Sequence, residues 1–420
     1  MLLPEMAIFQ QNLVSSDIKD AAETTKTALN GIGKGLCEIS GDSVAVAVGS
    51  RSIDRLDKVV AGIVGFLKNR GANPFILAAM GSHGGATERG QKAVLASYGI
   101  TEESMGVPVH ADPETRPADR LPEGLELHAS STALAADHVV LINRIKPHTK
   151  FHAQIESGLC KMLTIGIGNA TGAAACHLFA VRNSFSFIES AAERLLGHLK
   201  VLFGVGLIED SFGRLAEIRA IPPESLIDTE KQMLKKARSM LAGIPFQNID
   251  VLIVDRIGKE ISGIGMDSNV TGRHRDIAGD FFTPPNPGRI FVRDLSEQSD
   301  GNANGIGLAD VTTSRLVRRI DMEKTAVNAV TAISPEKAAI PLYFETDKKC
   351  LDVCIHTSGI ENRAEVGIVR IRDTASLEFL EISKELENKL NPDAKIKRIT
   401  QWKPLEFNES GNLFPFYPGR

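Results

Sequence analysis

Short apolar runs and amphipathic stretches alternate along most of this chain. Residues 43–49 read Ser-Val-Ala-Val-Ala-Val-Gly, an apolar run bounded by turn residues that predicts a buried strand. Residues 56–69 repeat apolar side chains at helical spacing and stop before Gly71, which predicts an amphipathic helix. Residues 74–80 predict a second buried strand, breaking into Gly81-Ser82-His83-Gly84-Gly85. A helix over 87–98 follows, with Thr87 as its N-cap and Gly99 as its stop. Residues 138–143 read as another strand, 191–199 as the end of a helix and 200–207 as the strand after it. Residues 242–247 look like a boundary, after which 250–255 begins a second series with strands at 289–293 and 366–371. Strands alternating with helices of about 10–15 residues predict parallel sheets with helices on both faces. The expected architecture is therefore α/β: two α/β domains with mainly parallel sheets, 1–245 and 246–420, and an active-site cleft between them. The chain has no internal repeat and no low-complexity segment.

Composition narrows the class of protein. With 43% hydrophobic and 24% charged residues over 420 positions, this is an ordinary globular chain. Lys plus Arg number 48 against 52 Asp plus Glu, a net charge of −4 that argues against a nucleic-acid partner. No apolar run approaches the ~18 residues of a membrane span, and residues 1–10 lack the basic start and apolar core of a signal peptide. The five cysteines form no CxxC pair, so neither a disulfide framework nor a structural zinc site is expected, and reduced thiols in the cytoplasm are. Cys350, Cys354 and His356 offer only a poor metal set, the cysteines standing four apart on what reads as a strand.

Three segments place reactive side chains at strand ends among glycines, where ligands bind in open α/β sheets. The first is 80–87, with His83 between Ser82 and the pair Gly84-Gly85, and with backbone N–H groups suited to an anion. A helix-capping loop with an incidental histidine would look the same. The second, 143–152, puts Arg144, Lys146, His148, Lys150 and His152 just beyond a strand, a cationic spot for a carboxylate or phosphate, or a source of an acid or base. A solvated basic loop is the plainer alternative. The third holds Lys161 in an apolar, small-residue context, where desolvation favours a usable amine, and then His177, a candidate metal ligand. In the second half, Lys259 and the Gly/Asn-rich stretch 301–307 are weaker candidates that two tight turns would also explain.

Taken in order, Gly81-Ser82-His83, Pro147-His148, Ser157-Gly158-x-x-Lys161 and a histidine sixteen residues later resemble the nickel-dependent lactate racemase family over about 44–178. The resemblance implies a nickel pincer nucleotide tethered to Lys161 and a nickel ligand in His177, and the glycine loop offers cofactor contacts at Ser82, Gly84 and Gly85. The resemblance also implies catalytic bases in His83 and in His148 or His152, the latter lying closer to the family's interval before the lysine. Arg51 stands in the place of a family arginine near the substrate and Arg275 near that of a substrate-binding lysine, while Lys259 is a substrate-binding candidate of the second domain on its own account. A small carboxylate would be the substrate, and cofactor-biosynthesis proteins would be partners in loading. Where the family pattern has an aspartate, a glutamine and a lysine, this chain has Val48, Gly272 and, nearby, Arg275, so a 2-hydroxy acid other than lactate is expected. Two alternatives remain: a cofactor-free lyase or isomerase using Lys161, His83 and His148, and a catalytically inert ligand-binding homologue.

Overall fold

The computed structural model describes residues 3–16, 18–50, 52–277 and 283–416. The chain forms two units, Ser15–Leu241 and the combination of Met1–Val14 with Ala242–Arg420. The division lies a few residues before the expected one at 245. The first fourteen residues belong with the second unit, because the strand Glu5–Gln11 pairs antiparallel with Phe379–Ser383 and with Ile396–Arg398.

In the Ser15–Leu241 unit, six strands lie in the order Val109–His110, Asn73–Ala78, Ser43–Val48, His138–Arg144, Val201–Glu209, Leu215–Ile221. All neighbours are parallel except the last pair, which is a hairpin. The strands form where the sequence runs apolar, because both faces of the sheet are covered. Val44, Val46, Val48, Phe203, Val205 and Leu207 bury one face against Val59, Val60 and Ile63 of the helix Leu56–Asn69. On the other face Gly204 and Gly206 leave room that Leu159, Leu226 and Met233 fill, since a β-carbon at either glycine would lie 2.7–2.8 Å from a neighbouring side chain. Each such buried aliphatic side chain contributes roughly 1.5–3 kcal/mol. Thr87 caps the helix Glu88–Ser97 as expected, its hydroxyl accepting the Gly90 amide at 3.1 Å.

The second unit's sheet places Leu342–Phe344, Val311–Thr313, Asn286–Val292, Asn248–Val254 and Ile368–Ile371 in parallel, then Phe379–Ser383, Glu5–Gln11 and Ile396–Arg398 antiparallel. Cys350 and Cys354 lie on a helix, Asp347–His356, where a separation of four puts both on its buried face. Burial pushes the Cys350 thiol up to about 12 and raises that of Cys354. They are core residues, and among the described residues no three His, Cys, Asp or Glu side chains gather to hold a metal by themselves. No single described helix is long and apolar enough to cross a membrane; Leu159–Gly166 with Asn169–Asn183 passes that test only as a pair bent by 105°.

Candidate active site

The carboxyl ends of three neighbouring parallel strands bring the segments after Val48, Ala78 and Arg144 to one end of the six-stranded sheet. The loop after Asn73–Ala78 turns through Gly81, Gly84 and Gly85, all at positive φ, into the short turn His83–Ala86. Gly84 requires glycine twice over, since a β-carbon there would lie 2.6 Å from the Gln91 backbone nitrogen. The amides of Gly81 and His83 are taken by the carbonyls of Gly166 (3.1 Å) and Met80 (3.2 Å), so those two do not serve an anion. Half-buried His83 has its Nδ1 against the hydroxyl of Ser50, which follows the neighbouring strand. Tyr98 steadies that corner by donating its hydroxyl to the Ser50 carbonyl at 2.7 Å. Arg51, the next residue, lies outside the described residues.

Lys161 stands on a short helix, Leu159–Lys161, that runs directly into a π-helical turn, Met162–Gly166. Such turns interrupt regular helix and are frequent at functional sites. The extra residue lets the Ile167 amide reach the Met162 carbonyl at 2.8 Å. It also presses Gly166 so close to the Asn73–Ala78 strand end that a β-carbon would lie 2.8 Å from the Ala79 carbonyl. This contact, with the Gly81–Gly166 hydrogen bond, docks the His83 loop on the Lys161 segment. Under the start of that segment lies Glu230, buried, whose carboxylate accepts the Cys160 amide at 2.9 Å. Burial pushes the Glu230 carboxyl up to about 7, although hydrogen bonds from Cys160 and Leu159 hold it down in part. Burial, with Glu230 beside it, also raises the Cys160 thiol well above the usual value, so this cysteine is inert.

His148 lies 2.5 Å from Lys161, measured from Nε2 to Nζ. Its loop is folded around the buried carboxylate of Glu156, which accepts the His148 amide at 2.6 Å and the Ala153 amide at 3.0 Å and is paired with Arg238. The ring stacks on Phe151 at 4.5 Å between centroids, and Phe151 stacks on Phe185 at 4.4 Å. His177, on the helix Asn169–Asn183, meets the same Phe185 ring edge-on at 5.8 Å. One aromatic stack thus spans the lysine's histidine and the candidate metal ligand.

The expected cationic spot is reduced by its own contacts. Arg144 is paired with Glu209, and Lys150 is buried with its ammonium 5.8 Å over Phe185. His152 is exposed. In the other unit, Lys259 donates to the Gly263 carbonyl (2.9 Å) and to Asn328, and exposed Arg275 approaches the Gly307 carbonyl at 3.4 Å. The 301–307 stretch is built of tight turns, with Gly301 and Gly305 at positive φ.

Phe185, Phe151, Ser50, Tyr98, Glu156 and Glu230 are the residues that a reading of motifs misses. The aromatic pair had one signal: a chain with only 5% aromatic residues places Phe151, Phe179, Phe185 and Phe187 within forty positions. Glu230 had none, because a carboxylate in an amphipathic helix reads as surface.

No family model matches the chain, and no curated protein does. Solved structures do. The mixed, mainly parallel sheets make an α/β fold that is similar to that of lactate racemase. Specifically, lactate racemase apoprotein from Thermoanaerobacterium thermosaccharolyticum superposes with a TM-score of 0.54 at 14% identity, covering 88% of this chain and 94% of that one. A structural-genomics protein from Thermotoga maritima gives 0.50 at 15% identity, covering 85% and 97%. At such identities the likeness is one of fold.

Proposed function

We propose that this chain is a racemase or epimerase of a 2-hydroxy acid other than lactate, with Lys161 as the tether of a nickel pincer nucleotide and His177 as its nickel ligand. The observation that supports this reading is that the loops of His83 and His148 leave one end of a single sheet, with Lys161 against His148 and His177 reached through the same Phe185 ring, in a fold similar to that of lactate racemase. The residues fit the group. An amine stands in a largely apolar segment, and a single imidazole lies across one phenylalanine from the amine's partner. One protein ligand suits a metal whose other donors come from a bound molecule.

When bound, such a cofactor accepts and returns the hydride of the substrate's carbinol carbon. The chain's own part is proton handling and orientation. His83, held through Ser50, takes the hydroxyl proton when Nδ1 carries its hydrogen toward the serine and leaves Nε2 basic. The stack of Phe151 and Phe185 excludes water from one side of Lys161's partner and fixes the plane of His148. A cofactor-free lyase would draw on the same Lys161–His148 contact. Variants separate the two: Lys161→Ala loses loading while His83→Ala loads normally and loses turnover, whereas a cofactor-free enzyme turns over as apoprotein.

A further inference from the structure

We propose that His148 is a fixed hydrogen-bond donor that holds Lys161 as a neutral amine, a positioning residue for the lysine rather than a base toward substrate. The backbone N–H of Lys150 points at Nδ1 of His148, 3.0 Å away. A backbone amide only donates, so Nδ1 must present its lone pair, and a neutral ring then carries its single proton on Nε2. That Nε2 is the atom 2.5 Å from Lys161 Nζ. An N–H aimed at a lysine needs a lone pair to receive it. An ammonium has three donors and no acceptor, whereas a free amine has one lone pair. The opposite arrangement, with ammonium donating to Nε2, would put the ring proton on Nδ1, against the Lys150 amide. An imidazolium would suffer the same clash.

The charged and titratable groups on the elements around the pair are Glu156 with Arg238, Glu230, Lys150 and His177. Glu156, in the loop of His148, accepts the amides of His148 and Ala153 and is paired with Arg238. Glu230, beneath the lysine's helix, accepts the Cys160 amide. Lys150 lies over the Phe185 ring, which His177 meets edge-on.

The consequence is chemical. A lysine is a nucleophile only as the amine, so His148 holds this side chain in the protonation state that any covalent bond at Lys161 Nζ would require. The same tautomer removes His148 Nε2 from the list of proton acceptors. The proposal concerns the apoprotein, and its test uses neither nickel nor nucleotide, so it stands or falls separately from the proposed function.

Two measurements on apoprotein test it. Long-range proton–nitrogen NMR with ¹⁵N-histidine, His148 being assigned by its loss in His148→Gln, should show Nε2 protonated and Nδ1 bare near neutral pH. Competitive acetylation with acetic anhydride, read by peptide mass spectrometry across pH, should show Lys161 reaching full reactivity about two pH units or more below exposed Lys348. His148→Phe should move that midpoint up by about one unit or more, and His148→Gln, whose amide also donates, should bring it back. A proton on Nδ1, or a Lys161 midpoint equal to that of Lys348, overturns the proposal. If His148→Phe does not fold, the wild-type tautomer decides the question alone.

Discussion

Gly158 and Glu230 stand so close that a β-carbon on the glycine would lie 2.2 Å from a carboxylate oxygen. The backbone of Gly158 is extended, at φ 175, so conformation would admit any residue there and space alone demands glycine. Gly158→Ala must therefore push either a fully buried carboxylate or the start of the Lys161 helix. A loss of about 2–3 kcal/mol in urea unfolding is expected. In a Glu230→Ala background the same substitution should cost well under half of that, because the wall it strikes is gone.

Glu230 also makes stability depend on pH. Its carboxyl is raised in the folded state from the ordinary 4.5 to about 7, chiefly by burial. A raised carboxyl contributes stability that is fully present below the unfolded value and is lost as pH climbs through the folded one. Relative to Glu230→Gln, the wild type should lose up to about 3 kcal/mol between pH 4.5 and 7 and little more above that. Unfolding free energies of both proteins at a series of pH values check this; parallel profiles would show that Glu230 is not the group responsible.

Gly272 stands where the resemblance to the lactate racemase pattern would put a glutamine, and here no side chain can stand. Its φ is +66, and a β-carbon would lie 1.5 Å from the Pro285 carbonyl oxygen. The difference from the family pattern is thus built into the backbone. Gly272→Gln should destabilise the protein by about 3 kcal/mol or more rather than restore a substrate contact. Thermal unfolding that is unchanged, together with new activity on lactate, would contradict this.

What was legible in the sequence follows from range. The strands Ser43–Val48 and His138–Arg144 and the helix Leu56–Asn69 stand where apolar periodicity puts them, within a residue or so, because burial on both faces writes itself into local pattern. The loop glycines around His83 were equally plain. Pairings between distant segments were not. Nothing local to Glu5–Gln11 says that it joins strands near residue 380, and nothing near Lys161 announces Glu230 seventy positions on. Cys350 and Cys354 read as strand because their neighbours are apolar. The i, i+4 spacing that fits a helix face carries the same letters. His148 was visible as a histidine, but its role depends on a backbone amide two residues away, which no motif encodes.

The central claim is that Lys161 and His177 together hold a nickel nucleotide. The most direct measurement is intact mass with nickel quantification on protein co-expressed with a pincer-cofactor biosynthesis system. The account predicts a covalent mass increase, about one nickel per chain, loss of both in Lys161→Ala, and retention of the adduct with loss of nickel in His177→Ala. Unmodified, nickel-free wild-type protein, made beside a lactate racemase that loads normally in the same cells, would contradict it.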